Sequence, residues 1–282
     1  MKVSVAGYYV WQRRLSAPPA GGRRELAQKV KDCFFENRRR YGSRRIAAAL
    51  QKTGEAIGRS LVRSLMREQN LRAIAPRRFK PRTTDSKHDS RISPNLLKEP
   101  SNQAQGGGQV IVGDITYIAL TNGKFCYLAS FQDCFTRRIV GWRSAANMTA
   151  QLVLDAFQMA RRRGLLKRGA IIHTDRGGQY ASVEYRRLLF INGFRQSMSG
   201  RGNCYDNALA ESFFSRFKAE LVEGGIFISV EEARSETFSY IEGYYNRVRL
   251  HSALGYKSPL EFEMELKTKN GGRKDSFVST FS

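Results

Sequence analysis

With 282 residues, 41% of them hydrophobic and 11% aromatic, the chain can build one sizeable core plus a smaller domain, which excludes a disordered protein. A net charge of +23 calls for a polyanionic partner, nucleic acid ahead of an anionic membrane surface, and no apolar run approaches a membrane span. The start MKVSVAGYYVWQRR has no apolar signal region, and Cys33, Cys126, Cys134, Cys204 and three scattered histidines suit free thiols in a reducing compartment, not a zinc site.

Residues 1–82 concentrate the charge, with 21 Lys/Arg against 5 Asp/Glu. Leu26, Val30 and Phe34 recur at helical spacing. YGSRRIAAALQKTG follows, with Ser43 as candidate N-cap and Gly54 as the stop. IGRSLVRSLMREQNL then carries an apolar stripe of Val62, Leu65 and Met66. Two short helices around a Gly-containing turn predict a helix-turn-helix within an N-terminal helical DNA-binding domain over 1–75. Arg59, Arg63 and Arg67 recur every four residues and are candidates to face a DNA groove or phosphates. A small helical bundle with a solvated basic face is the alternative.

Residues 76–109 hold Pro76, Pro81, Pro94, Pro100 and the run Gly106-Gly107-Gly108, which reads as a linker. From 110 the pattern turns to strands. VIVGDITYIAL, KFCYLASFQD and RRIVGWRS are three β-rich runs with short polar turns, one holding Asn122-Gly123. A helix over about 150–163, the strand AIIHTD, a helix near 182–192, a short strand near 194–198 and a helix from about Asp206 to Leu221 complete a core over 110–225. The order β-β-β-α-β-α-β-α predicts a mixed α/β, ribonuclease-H-like core. A small C-terminal helical extension over 226–267 and a flexible tail over 268–282 follow.

Three carboxylates stand out within this core. Asp114 and Asp175 each end or interrupt an apolar β-rich run, with sixty residues between them, and Glu211 follows on an amphipathic helix after thirty-five more. Hard divalent cations take oxygen ligands, and phosphoryl transfer gains from metal at both the attacking and the leaving oxygen. Asp114, Asp175 and Glu211 are therefore candidate ligands for two Mg²⁺ (or Mn²⁺) ions. On the last helix Asp206 is a candidate N-cap, and Asn207, Glu211 and Lys218 share one face. Phe213, Phe214, Phe217 and Leu221 supply the opposite, buried side. That polar face suits Glu211 on metal, Asn207 on a base or phosphate, and Lys218 on a phosphate as a point charge. Taken alone, the helix reads as an ordinary amphipathic surface helix. His173 reads as a satisfied, partly buried histidine before a group that orients a ligand. Arg176-Gly177-Gly178-Gln179-Tyr180 suits either close approach of DNA or a simple turn. Tyr244, Tyr245, Asn246, Arg249 and His251 suit either DNA stacking or helix packing.

MSGRGNCYDNALAESFFSRFKAEL, HTDRGGQY, GDITYI, YGSRRIAAAL and YYNRVRLHSALGYKSPLEF resemble signature stretches of the transposases of the IS3 insertion-sequence family, within the retroviral-type integrases. The likeness covers most of residues 1–265. It implies a DNA transposase of the D,D,E type, with the catalytic triad on Asp114, Asp175 and Glu211 and the family's basic residue, seven positions after the Glu, at Lys218. It implies that the first and fourth strands are neighbours. It implies cleavage and strand transfer on double-stranded DNA, with water or a DNA 3′-hydroxyl attacking in line, and a circular intermediate before insertion. It further implies a homo-oligomer on element ends and target, an upstream-frame helix-turn-helix and leucine-zipper partner (no heptad run appears in this chain), and a cytoplasmic, nucleoid-associated location. One departure is Ile111, where the family often has Trp. The alternatives are a ribonuclease-H-like nuclease without strand transfer and an inactive DNA-binding remnant.

Overall fold

The computed structural model describes residues 4, 5, 8, 9, 21–75, 92–200, 208–222 and 227–271. The chain divides into two units, residues 1–74 and 75–282. In the first, apolar residues at helical spacing give three helices, α1 (Gly21–Glu36), α2 (Ser43–Lys52) and α3 (Arg59–Glu68). They bury Val30, Phe34, Ile46, Leu50, Val62 and Leu65. The side-chain amide of Gln69 donates to the Ala27 carbonyl and ties the end of α3 to α1. Ser43 is the first residue of α2, not its cap; Gly42 holds the N-cap position and offers no side-chain bond.

In the second unit, three β-rich runs become β1 (Val110–Ala119), β2 (Phe125–Asp133) and β3 (Ile139–Ala145), each antiparallel to the next and joined by a short turn. Two further strands extend the sheet. β4 (Ile171–Thr174) pairs parallel with β1, and β5 (Arg195–Met198) pairs parallel with β4. The sheet order is β3-β2-β1-β4-β5, so the first and fourth strands are neighbours.

Period-two alternation sends side chains to two cores, one on each face. Ile111, Ala129, Phe131 and Ile172 meet α4 (Ala150–Arg162), α5 (Gly178–Ala181) and α6 (Val183–Ile191) through Phe157, Tyr180 and Tyr185. Ile118, Leu128 and Trp142 meet α7 (Ala208–Val222) and α8 (Val230–Phe238), followed by a π-helical turn over Ser239–Tyr245, through Phe213, Phe217 and Tyr240. One glycine is required by close packing. A Cβ on Gly113 would lie 2.6 Å from the Phe131 ring and 3.2 Å from Thr174, where β1 meets both neighbours.

Two expectations from composition change. Residues 92–109 are not a free linker but pack onto the sheet of the second unit. The Met198 amide donates to the Pro94 carbonyl, the Leu96 amide donates to Ser197 Oγ, and Ser93 donates to Gln196. Proline and glycine remove the periodic signal there, yet the backbone finds partners along β5. The last helix, α9 (Pro259–Gly271), runs into the segment expected to be tail; residues 272–282 lie outside the described residues.

Candidate active site

β1 and β4 run parallel with Gly113 opposite Thr174. Asp114 and Asp175 are each the next residue along, so two carboxylates with sixty residues between them follow one register pair, Asp114 still within β1 and Asp175 just past the end of β4. Asp114 shares the parity of Ile118, whose side chain meets Phe213 and Phe217 of α7. It therefore faces the helix that carries Glu211. Phe213, Phe214 and Phe217 are buried while Glu211 is exposed, as the amphipathic pattern requires; Leu221 is half-buried.

The electrostatics follow from this placement. Burial, then the charge of Asp175, push the Asp114 carboxyl well above the usual carboxylate range, and Glu211 adds to the effect. The Ile115 amide, 2.8 Å from Asp114 Oδ1, and the Lys218 ammonium oppose it. Asp175 accepts from the Gly177 amide at 3.0 Å. A Cβ on Gly177 would lie 3.1 Å from that same Asp175 oxygen, so the bare glycine belongs to the turn that seats the carboxylate. Among the described residues, no three His, Cys, Asp or Glu side chains form a group that could hold a metal ion. The acidic set is thus electrostatically coupled without being closed around one point.

Lys218 stands two turns beyond Glu211 on α7. Its Nζ lies 4.2 Å from the centroid of the Tyr117 ring, a cation–π contact. Burial lowers its pKa, and Asp114 opposes the shift. Sequence reasoning missed Tyr117 as a partner because 101 positions separate it from Lys218; the only signal is its place in GDITYI, three residues past Asp114. Asn207 and Asp206 lie outside the described residues.

His173 is fully buried, where partial burial was expected, with Nδ1 2.8 Å from Ser197 Oγ. Arg176 donates to the Ser199 carbonyl across the loop. Within YYNRVRLH, Tyr245, Asn246, Arg249 and Leu250 face inward, while Arg247 and Val248 are exposed. Tyr245 OH accepts from Gln132 of β2 at 2.7 Å. The Asn246 side-chain amide both accepts from Ile139 N and donates to Ile139 O of β3. Arg249 makes a two-pronged contact to Glu220 of α7 at 2.7 and 3.0 Å, and Tyr240 OH donates to the same carboxylate. Packing, not DNA stacking, accounts for these residues. Sequence reasoning also missed Glu220, because an acid among the last residues of an amphipathic helix looks solvated.

In the first unit, Arg59, Arg63 and Arg67 are all exposed along α3, whose Val62, Leu65 and Met66 are buried beneath them. Among the described residues, no helix is long and apolar enough to cross a membrane.

Known proteins resemble this chain along nearly its whole length. Two integrase core domain models match residues 104–204 and 192–259, and an HTH-like domain model matches residues 22–79. Transposase InsF of insertion sequence IS3A from Escherichia coli is 41% identical over 265 residues, 93% of this chain and 91% of its own length. The transposase of insertion sequence element IS904 from Lactococcus lactis is 41% identical over 238 residues, 84% of this chain and 93% of its own. Among solved structures, a simian T-cell lymphotropic virus intasome matches at TM-score 0.45 and 15% identity, covering 77% of this chain and 69% of that one. The HTLV-2 integrase catalytic core domain in complex with magnesium matches at TM-score 0.41 and 14% identity, covering 57% and 99%.

Proposed function

This chain belongs to the transposases of the IS3 insertion-sequence family, and from that premise we propose which of its residues cut and join DNA. Asp114, Asp175 and Glu211 are the acidic set that holds divalent cation, Mg²⁺ or Mn²⁺, as two ions. The observation that carries this reading is the placement of Asp114 and Asp175 just past the Gly113–Thr174 pair, with α7 packed over the face of Asp114. The donor set fits such a metal. It is all carboxylate oxygen, and burial, then the charge of Asp175, disfavours the charged form of Asp114, a penalty that a cation would offset. When bound, the metal supplies activation of the attacking oxygen and charge stabilisation at the phosphoryl and leaving oxygens.

The chain's own residues do the rest. Lys218, resting on Tyr117 and within the field of Asp114, pairs with a phosphate of the bound DNA end. Gly177 keeps the Asp175 carboxylate turned into the site. Water attacks the phosphodiester in line to nick the element end; the 3′-hydroxyl so released attacks a second phosphodiester to join strands. The same site serves both steps, through a circular intermediate and then insertion. The protein works as a homo-oligomer on double-stranded DNA, with the upstream-frame helix-turn-helix and leucine-zipper protein reading the ends, and Asn207 touches the DNA beside Glu211. It acts in the bacterial cytoplasm, at the nucleoid.

Labelled oligonucleotides carrying an element end test the function, with Mg²⁺ added and the upstream protein present. Both a nicked product and a joined product are expected. Nicking without joining, under conditions where a pre-nicked end is also not joined, would leave a nuclease.

Two further results are expected. Lys218→Ala should leave metal binding by calorimetry near wild type, yet weaken engagement of the DNA end and slow strand transfer about tenfold, the loss of one charge-assisted contact. Wild-type end binding and joining would make Lys218 plain helix surface. Replacing Arg59, Arg63 and Arg67 together by Gln should weaken DNA binding and flatten its log–log salt dependence by up to about 2.7, near 0.9 for each lost phosphate contact. An unchanged slope would return those arginines to a solvated face.

A further inference from the structure

The β1–β2 hairpin carries an aromatic cluster of which Tyr127 alone packs against the core beneath it. Tyr117 and Tyr127 stand directly opposite each other on the two strands, and Phe125 sits diagonally across from Tyr117. The Tyr117 and Phe125 ring centroids are 5.0 Å apart, edge to face, and those of Phe125 and Tyr127 are 6.4 Å apart. Cross-strand pairing explains why aromatic residues suit this sheet surface. It does not explain Phe125, which is 41% exposed at the start of β2, beside the exposed Lys124. The Lys218 ammonium lies over Tyr117, the ring next to it, and feels the charge of Asp114. An aromatic cluster with an open member thus stands three residues along β1 from Asp114, on the other face of the strand by alternation, and Lys218, which lies over Tyr117 and feels Asp114, links the two.

Aromatic faces joined to cations are how proteins hold unpaired nucleotides. The ring stacks a base, whatever its identity, and the cation pairs with the neighbouring phosphate. Bases inside a duplex already stack on one another, so a protein ring gains a base only where that stack is broken. We propose that Tyr117, Phe125 and Tyr127 form a stacking subsite, in which Phe125 receives an unstacked nucleobase next to the phosphodiester that is cut. Its position beside the cut rests on the assignment of Asp114 to the reaction; the stacking itself does not.

The test is a binding measurement in chelator, where no cleavage occurs. DNA carrying an element end with a short unpaired terminus is labelled with 2-aminopurine at successive positions. Wild-type protein should quench the label at one unpaired position, because a stacked ring quenches it. Phe125→Ala should abolish that quench and weaken binding of the unpaired-end DNA about 5- to 100-fold, with fully paired DNA bound as before. Phe125→Trp should restore the quench, and Phe125→Leu, which keeps apolar bulk without a ring, should not. The hairpin's folding is followed by circular dichroism, and Leu decides the matter if Ala disturbs it. Equal quenching by wild type and by the Leu variant would overturn the proposal. So would a change in oligomeric state with the quench intact, which would make Phe125 a contact between copies. Should the quench appear while Asp114→Asn still cuts DNA in Mg²⁺, the subsite stands and the acidic assignment fails.

Discussion

Asp114→Asn, Asp175→Asn and Glu211→Gln should each cut nicking and joining by about 10³-fold or more, while binding of the element end stays within a few-fold of wild type. Metal at the reacting oxygens is worth several kcal/mol, and each 1.4 kcal/mol is about a tenfold change in rate. The substitutions keep size and shape but replace one charged carboxylate oxygen by an NH2 group, which donates hydrogen bonds and cannot ligate a cation. DNA affinity comes mainly from the basic surface of a chain with net charge +23, so it does not depend on one carboxylate. Single-turnover cleavage and a filter or anisotropy binding titration on the same preparations check both halves. Any of the three variants that still cuts at wild-type rate removes that residue from the acidic set. Loss of binding in parallel with cleavage would instead point to misfolding.

The second large effect concerns stability. Arg249 and Glu220 form an ion pair whose side chains are only 4% and 2% exposed. Burial disfavours the guanidinium charge, but hydrogen bonds and charge from Glu220 more than restore it and push the Arg249 pKa up. Arg249→Ala would leave the Glu220 carboxylate buried without its main partner. The expected cost is about 3–5 kcal/mol, or roughly 10 °C in the melting temperature of a unit of this size. Replacing the group as a whole, with Glu220→Met, Tyr240→Phe and Arg249→Met together, should restore most of that stability, because no buried charge or hydroxyl is then left over. Thermal melts of the single and triple variants decide it. A single variant as stable as wild type would mean that water reaches the pair.

Much of this architecture is legible in the sequence. The strands show as β-rich runs between polar turns, and the helices as apolar stripes with glycine stops. Asp114 and Asp175 are legible as ends of apolar runs, but their standing past one register pair depends on a parallel pairing across sixty residues, which no local pattern encodes. Glu211 and Lys218 share a face by simple helical spacing. The Tyr117 beneath Lys218 does not follow from spacing, since it comes from a strand far away in sequence. YYNRVRLH carries the most ambiguous signal: tyrosines, asparagine and arginine serve a phosphate and a buried polar network equally well. The π-helical turn decides the matter. Its wider spacing, with Asn246 N donating to the Ile241 carbonyl five residues back, lets the successive residues Tyr245 and Asn246 both turn inward.

The bonds made by Asn246 and by the Pro94–Leu96 segment have a common consequence. A five-stranded open sheet has two outer strands, and unpaired amides along such strands invite pairing with another copy of the same protein. That hazard grows when many copies of a basic protein crowd along one DNA molecule. Here the side-chain amide of Asn246 occupies both backbone groups of Ile139 on β3, and Arg234 donates to the Ser144 carbonyl further along the same strand. On β5, Pro94 and Leu96 occupy the Met198 amide and the Ser197 side chain. None of these partners is itself a strand, so none offers a new ladder for the next chain to extend. The sheet is guarded against self-polymerisation at one margin by two helical side chains and at the other by a proline-containing turn.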